Sequence, residues 1–235
     1  MLNRAKVILI PIPIAEGQKD TLSLAVSSAT SDIKHYMVEN VRTARRFLKW
    51  LHPQIVIDEL EFAEFDKHKG ADLEAFRRWL KQGATVGVLS ESGCPGIADP
   101  GAEVVAIAQE LDIEVIPLVG PNSLILALMA SGLNGQRFAF NGYLPVKEPA
   151  RTQKIKQLEQ VSKKEQQTQI FIETPYRNNQ ILEDLLRHCN HATRICIAQN
   201  LTASDQWIKT KRVGDWNKKM PALNKVPTVF LIQAE

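Results

Sequence analysis

Apolar residues along this chain switch between two periods. Short apolar runs at Lys6–Ile12, Lys34–Val38, Ile55–Asp58, Thr85–Leu89 and Glu114–Leu118 have the length of buried strands. Between them, Thr21–Ala29, Asn40–Leu51, Ala71–Lys81 and Ala102–Leu111 repeat their apolar positions at helical spacing. The breaks fall where helices should stop: a Ser/Thr cluster at 27–31, His52-Pro53, and Gly83. Alternation of strand and helix predicts a mostly parallel sheet with helices on both faces.

The second half has a different rhythm. Leu124–Ala130, Glu148–Val161 and Asn178–His188 read as helices, and Arg137–Asn141, Gln169–Glu173 and Arg194–Gln199 as strands. Two further strands, Gln206–Arg212 and Thr228–Gln233, follow without a helical pattern between them, which predicts a mixed or antiparallel sheet. Pro117–Pro121 interrupts both periods and is the best hinge. The expectation is an α/β protein of two α/β lobes, 1–118 and 119–235, with a mostly parallel first sheet and a mixed second one.

The longest polar interruption is the most informative. The strand Thr85–Leu89 ends in Ser-Glu-Ser-Gly-Cys-Pro-Gly-Ile-Ala-Asp-Pro-Gly, residues 90–101, before a helix begins at Ala102. Gly93, Gly96 and Gly101 permit positive φ or close approach of a ligand, and Pro95 and Pro100 restrict the loop. A rigid polar loop at the carboxyl end of a parallel strand is where open α/β sheets hold ligands.

Composition narrows the classes. An apolar content of 44% beside 23% charged residues is that of a globular domain, and no apolar run reaches membrane-spanning length. Met1–Lys6 leads directly toward a strand and not into a signal-peptide core, so a cytoplasmic protein is expected, with no membrane partner. Cys94, Cys189 and Cys196 form no C-x-x-C pair and imply neither disulfides nor a metal site. A net charge of +3 permits a nucleic-acid partner without requiring one. Arg42, Arg45, Arg46 and Lys49 share one predicted helix, and Lys147, Arg151, Lys154, Lys156, Lys163 and Lys164 crowd another stretch; solvated helix faces are the alternative for both. No G-x-G-x-x-G or G-x-x-x-x-G-K-[ST] occurs, which removes the best support for dinucleotide or P-loop chemistry.

The 90–101 segment resembles the S-D-A-G-T-P-x-I-S-D-P-G signature of the tetrapyrrole-methylase-like, S-adenosylmethionine-dependent methyltransferases. The resemblance is greatest to the branch that 2′-O-methylates a ribose of small-subunit ribosomal RNA. It continues through Val115–Ser123, Ala130–Leu133, Phe140–Lys147 and Phe171–Arg177. It implies two lobes with an S-adenosylmethionine cleft between them, a homodimer, and no metal. Carried over by motif, the donor contacts are Ser92, Gly93, Cys94, Ile97, Ala98 and Asp99, then Asn122, Ser123, Ile172, Leu201, Thr202, Pro227 and Thr228. Small residues and backbone amides suit a zwitterionic methionine moiety, and Ile97 and Ile172 suit an adenine face. Asn122 and Ser123 are equally well explained as helix N-caps. Cys94 has no neighbouring His in sequence, and a backbone contact explains it better than nucleophilic catalysis.

Departures from the family pattern concentrate on the presumed acceptor side. T-P-I-G-N-L becomes Ile10-Pro11-Ile12-Pro13-Ile14-Ala15, E-D-T-R becomes Glu39-Asn40-Val41-Arg42, E-S-x-H-R becomes Glu173-Thr174-Pro175-Tyr176-Arg177, and A-R-E-L-T-K becomes Ala198–Ala203 with its acid and bases lost. Glu39, Arg42, Glu173 and Arg177 are therefore the retained candidates for orienting or deprotonating the acceptor, with structural ion pairing as the alternative at each. The resulting expectation is a methyltransferase acting on small-subunit ribosomal RNA. A tetrapyrrole C-methyltransferase is the enzymatic alternative, and a binding module with little turnover lies outside catalysis.

Overall fold

The computed structural model describes residues 5–66, 70–216, 221–223 and 225–235. Two compact units divide the chain, Met1–Asn122 and Ser123–Glu235. Each contains its own sheet and its own core.

In the first unit β1 (Lys6–Ile10), β2 (His35–Val38), β3 (Glu61–Asp66), β5 (Thr85–Leu89) and β6 (Glu114–Pro117) are parallel. The two-residue β4 (Gly70–Ala71) pairs antiparallel to β3 at one edge, and the strand order is β4-β3-β2-β5-β1-β6. Alternation of side chains divides the apolar residues between two faces. Ile8, Ile10, Tyr36, Val38 and Leu89 pack beneath α1 (Leu24–Thr30) and α2 (Val41–Leu51). On the opposite face, Val7, Met37, Ala63, Val86 and Val88 pack beneath α3 (Leu73–Lys81) and α4 (Ala102–Glu110). Both faces are covered, as a parallel sheet requires.

Caps fix where the helices begin. Asn40 Oδ1 accepts from the Thr43 amide at the start of α2, and Asp72 Oδ1 accepts from the Ala75 amide at the start of α3. The expected helix at Thr21–Ala29 begins later, at Leu24, after a 3₁₀ turn over Lys19–Thr21. The strand expected at Ile55–Asp58 is incorrect. That segment ends in a 3₁₀ turn, Ile57–Glu59, whose side chains Ile55 and Ile57 pack against the α2 face of the core, and the strand follows it as β3. Its sequence, Glu-Phe-Ala-Glu-Phe-Asp, alternates because it lies next to the sheet edge, and a search for continuous apolar runs passes over it.

The second unit has the order β10-β9-β11-β8-β7. Here β7 (Phe138–Tyr143) and β8 (Thr168–Ile172) are parallel, while β11 (Thr228–Gln233), β9 (Arg194–Gln199) and β10 (Trp207–Arg212) continue antiparallel, which is the mixed sheet expected. One face packs Ile170, Cys196, Val229 and Leu231 against α5 (Ser123–Ser131). The other packs Phe171, Ile195, Ile197 and Phe230 against α6 (Ala150–Glu165), α7 (Asn178–His188) and the short α8 (Val213–Trp216). Arg151, expected among the exposed bases, is buried. Its Nε lies 2.6 Å from Asp184 Oδ2 of α7, and its Nη2 lies 2.9 Å from Glu148. The carboxylate of Asp184 is itself buried, so the guanidinium serves the core and not the surface.

Gly87 marks the tightest packing of the first sheet. A Cβ there would lie 2.7 Å from Tyr36 Cδ1 and 2.8 Å from Ile10 Cδ1. The Tyr36 ring is fully buried, its hydroxyl donates to the Thr30 carbonyl, and burial pushes its phenol well above the usual range. Gly87→Ala is therefore expected to lower unfolding free energy by about 1–3 kcal/mol, the scale of core overpacking. Denaturant titration beside the wild type measures it, and an unchanged midpoint would show that Tyr36 has room to move.

Candidate functional site

The order of the first sheet creates one point where chain paths diverge. After β1 the chain leaves toward α1, on one face, and after β5 it leaves toward α4, on the other. β1 and β5 are neighbours, so a crevice opens outside their carboxyl ends. Crevices of this kind are the ligand sites of open α/β sheets.

Two loops meet there. Ile12 and Gly93 exchange both backbone hydrogen bonds, at 2.8 and 2.9 Å, and so tie the exit of β1 to the exit of β5. A third segment joins them: the Cys94 thiol donates to the Pro121 carbonyl at 3.3 Å, and its sulfur interacts with the Asn122 side chain. Gly120 approaches Pro11 so closely that a Cβ would come within 2.2 Å of the proline Cβ. Residues 93–94, 120–122 and 11–12, the outermost more than 100 positions apart in sequence, thus form one framework in the first unit.

The loop itself has the backbone that its glycines predict. Gly93, Gly96 and Gly101 take φ of 70°, 78° and 135°. Ala98 also has a positive φ, 62°, although it carries a Cβ. Such strain persists only where surrounding structure enforces it, and it concentrates at ligand sites. The Gly96 amide donates to the Pro100 carbonyl, so the turn closes on itself. Ser92 and Asp99 are half-buried, whereas Ile97 and Ala98 are exposed. Burial raises the pKa of the Cys94 thiol; the Asn122 contact opposes that shift and Asp99 adds to it. A thiol kept protonated is a donor that braces the loop, not a nucleophile.

Glu39 follows β2. Its amide donates to the Leu89 carbonyl, and its Oε2 accepts from the Glu91 amide at 3.2 Å. This carboxylate is thereby fastened to the start of the same loop. Arg42 is exposed on the first turn of α2. Asn40, which stands where the family pattern has Asp, still caps that helix, so this departure leaves its start intact.

In the second unit, five of the residues carried over by resemblance lie at one end of the sheet. Ile172 ends β8 and pairs with Val229, next to Thr228. The Asn200 amide donates to the Pro227 carbonyl, which brings Leu201 and Thr202 alongside Pro227 and Thr228. Thr202 has a φ of 71°, a rare conformation for a β-branched residue, and its buried Oγ1 has no hydrogen-bond partner among the described residues. Ser123 opens α5, whose Leu124 packs with Leu201 and Val229. Glu173 and Arg177 do come together: Oε2 and Nη2 are 3.1 Å apart, within ion-pairing distance but not aligned as a hydrogen bond. Glu173 Oε1 accepts from the Thr174 amide and Arg177 donates to the Pro145 carbonyl, so the pair also fastens two loops.

Sequence reasoning missed a cavity of about 470 Å³ beside the first loop, walled by Ile14, Thr43, Arg46, Phe47, Trp50 and Glu91. Its signal was present in α2: positions 43, 46, 47 and 50 share one helical face. Arg45, expected beside Arg46, instead pairs with Asp58 at 2.9 Å.

The sheets and the strand-end loop define an open α/β protein of two units with a ligand crevice in the first. The family model for tetrapyrrole (corrin/porphyrin) methylases matches residues 1–216, and the chain belongs to that family. It is 35% identical to the ribosomal RNA small subunit methyltransferase I of Synechocystis over 70% of this chain and 56% of that protein. It is 33% identical to the protein of the same name from Buchnera aphidicola, over 98% of this chain and 79% of that one, and 29% identical to the Vibrio cholerae protein over 88% and 69%. The alignments thus span between 56% and 79% of these relatives' own lengths. Among solved structures, the methyltransferase CobJ superposes with a TM-score of 0.61 at 18% identity, covering 98% of this chain and 93% of that one. Uroporphyrin-III C-methyltransferase from Thermus thermophilus, solved in complex with S-adenyl homocysteine, gives 0.53 at 15% identity, covering 97% of both chains. These likenesses show the fold.

The raised pKa of Cys94 has a direct readout. Because the thiolate is the reactive form, iodoacetamide is expected to label Cys94 in the folded protein more slowly at neutral pH than it labels free cysteine. Cys189 and Cys196, pushed by burial to about 12 and about 11, should resist more strongly. Peptide mapping after timed labelling measures each rate, and rapid modification of Cys94 at pH 7 would contradict its bracing role.

Proposed function

We propose that this chain is an S-adenosylmethionine-dependent methyltransferase whose acceptor is a ribose 2′-hydroxyl of small-subunit ribosomal RNA. The observation that carries the proposal is the braced, positively twisted loop at the β1/β5 crevice, in a chain of this family. The names of its relatives support the RNA acceptor, and work on the ribosome would place it in the cytoplasm. Among the described residues no helix is long and apolar enough to cross a membrane.

The residues fit a polar, zwitterionic donor. In the first unit, Ser92, Gly93, Cys94, Ile97, Ala98, Asp99 and Asn122 are proposed to hold it, with the exposed Ile97 offered to an apolar ring. In the second unit Ser123, Ile172, Leu201, Thr202, Pro227 and Thr228 are proposed, and the unpartnered Thr202 hydroxyl is the polar group that a ligand would satisfy. When bound, S-adenosylmethionine supplies an electrophilic methyl group, and a metal is not required. Glu39 is proposed to take the proton from the acceptor hydroxyl or to orient it, with Arg42 stabilising charge that develops on oxygen. Glu173 and Arg177 are proposed to position the loop around them, since each already fastens a neighbouring backbone group. A homodimer is part of the proposal, supported by the exposed aromatics Phe138, Phe140 and Tyr143 along edge strand β7.

Methyl incorporation from labelled S-adenosylmethionine, measured side by side into small ribosomal subunits, bare ribosomal RNA and tetrapyrrole precursors, tests the reading. Label is expected in RNA. Glu39→Gln should reduce its rate by about 10²-fold or more, the scale of one acid–base group, with donor affinity nearly unchanged by calorimetry. Label appearing in the tetrapyrrole alone would replace the acceptor. Tight donor binding with no transfer to any substrate would favour a binding module.

A further inference from the structure

The cavity against α2 is not used by the donor residues, yet it opens beside the groups proposed for the acceptor. Glu91 lines it, and the amide of that residue donates to Glu39 Oε2. The cavity therefore lies one residue from the carboxylate expected to handle the acceptor hydroxyl. All of its walls belong to the first unit.

Its chemistry is specific. Ile14, Phe47 and Trp50 provide apolar and aromatic surface, and Trp50 is 39% exposed although it is a large aromatic. Lys19 Nζ lies over the Trp50 ring, 5.6 Å from its centroid, outside the residues that line the cavity. Within the lining, Arg46 is an exposed cation. Opposite them, Glu91 Oε1 accepts from Thr43 Oγ1 at 3.2 Å, leaving the carboxylate further acceptor capacity. An aromatic ring, the Arg46 guanidinium and the carboxylates of Glu16 and Glu91 match an amino-bearing nucleobase with a single phosphate: the ring stacks, the phosphate meets the guanidinium, and the exocyclic amine donates to Glu91. A volume of about 470 Å³ falls within the ~300–1,000 Å³ of small-molecule sites. A polycarboxylated macrocycle fits poorly, because its acids would face both Glu16 and Glu91 in the lining.

We propose that this cavity is a base-binding subsite that takes one unpaired, amino-bearing nucleotide of a single-stranded RNA, stacked on Trp50 with its phosphate on Arg46. The inference rests on the RNA-acceptor reading and deepens it. It assigns recognition to α2 and the loop after β1, two of the four segments in which this chain departs from the family pattern.

Fluorescence anisotropy with a labelled, unstructured RNA of about ten nucleotides and the full chain tests it, with S-adenosylhomocysteine binding by calorimetry as the control. Trp50→Ala is expected to weaken RNA binding about tenfold or more, the scale of one stacked base, while Trp50→Phe stays within about threefold of the wild type. Arg46→Ala should make the log–log salt dependence shallower by about 0.7, as one lost phosphate contact on a single strand does. S-adenosylhomocysteine affinity should be the same in all variants. If Trp50→Ala also lost that ligand, the Arg46→Ala slope would decide alone. RNA binding by the wild type that neither Trp50→Ala nor Arg46→Ala alters would overturn the subsite and leave the RNA reading standing. A wild type with no affinity for RNA would overturn both. Uroporphyrin binding that Trp50→Ala weakens, with RNA binding untouched, would reassign the cavity to a macrocycle.

Discussion

The two hydrogen bonds between Ile12 and Gly93 hold the first unit's site together. Parallel strands end with their carbonyl groups facing the crevice, and loops leaving β1 and β5 toward opposite faces would otherwise splay apart. The bridge stops that at its root. It also consumes the amide of Gly93, so that residue can meet a ligand only through its bare Cα surface and not through its N–H. The thiol of Cys94 and the contact of Gly120 with Pro11 add a third strand end, that of β6, to the same framework. In the proposed reaction such rigidity would serve the fixed alignment of donor and acceptor on which methyl transfer depends.

Much of this was legible in the sequence because short-range chemistry dictated it. Thr85–Leu89, Asn178–His188, Arg194–Gln199 and Thr228–Gln233 coincide with the observed elements, each an apolar run or helical repeat between clear breakers. The left-handed glycines of the 93–101 loop could be anticipated from spacing alone. The strand Glu61–Asp66 was hidden because a place next to the sheet edge lets charged residues alternate with apolar ones. The neighbouring Ile55 and Ile57 imitated a strand because the core takes apolar groups from turns as well.

Charge was the hardest property to read. Arg45, Arg46 and Arg151 look equivalent in a list of bases. Yet Arg45 pairs with Asp58, Arg46 lines a cavity, and Arg151 is sequestered with Asp184. What separates them is which face of a helix each occupies and what acid the fold delivers from elsewhere, 33 residues away in the case of Asp184. Likewise Thr202 was reachable by resemblance, whereas its backbone strain and unsatisfied hydroxyl emerged only when the ends of β9 and β11 were brought together.

The meeting of Gly120 with Pro11 has a consequence for descent. Any side chain at position 120 would occupy the space of the proline ring, and the two sites lie more than 100 positions apart in sequence. Position 120 cannot gain a side chain in a single step, since a larger residue there is admissible only after the ring at 11 has gone. Related chains should therefore carry a side chain at 120 only where the proline at 11 is absent, leaving a one-way correlation between the first and last strand exits of the unit.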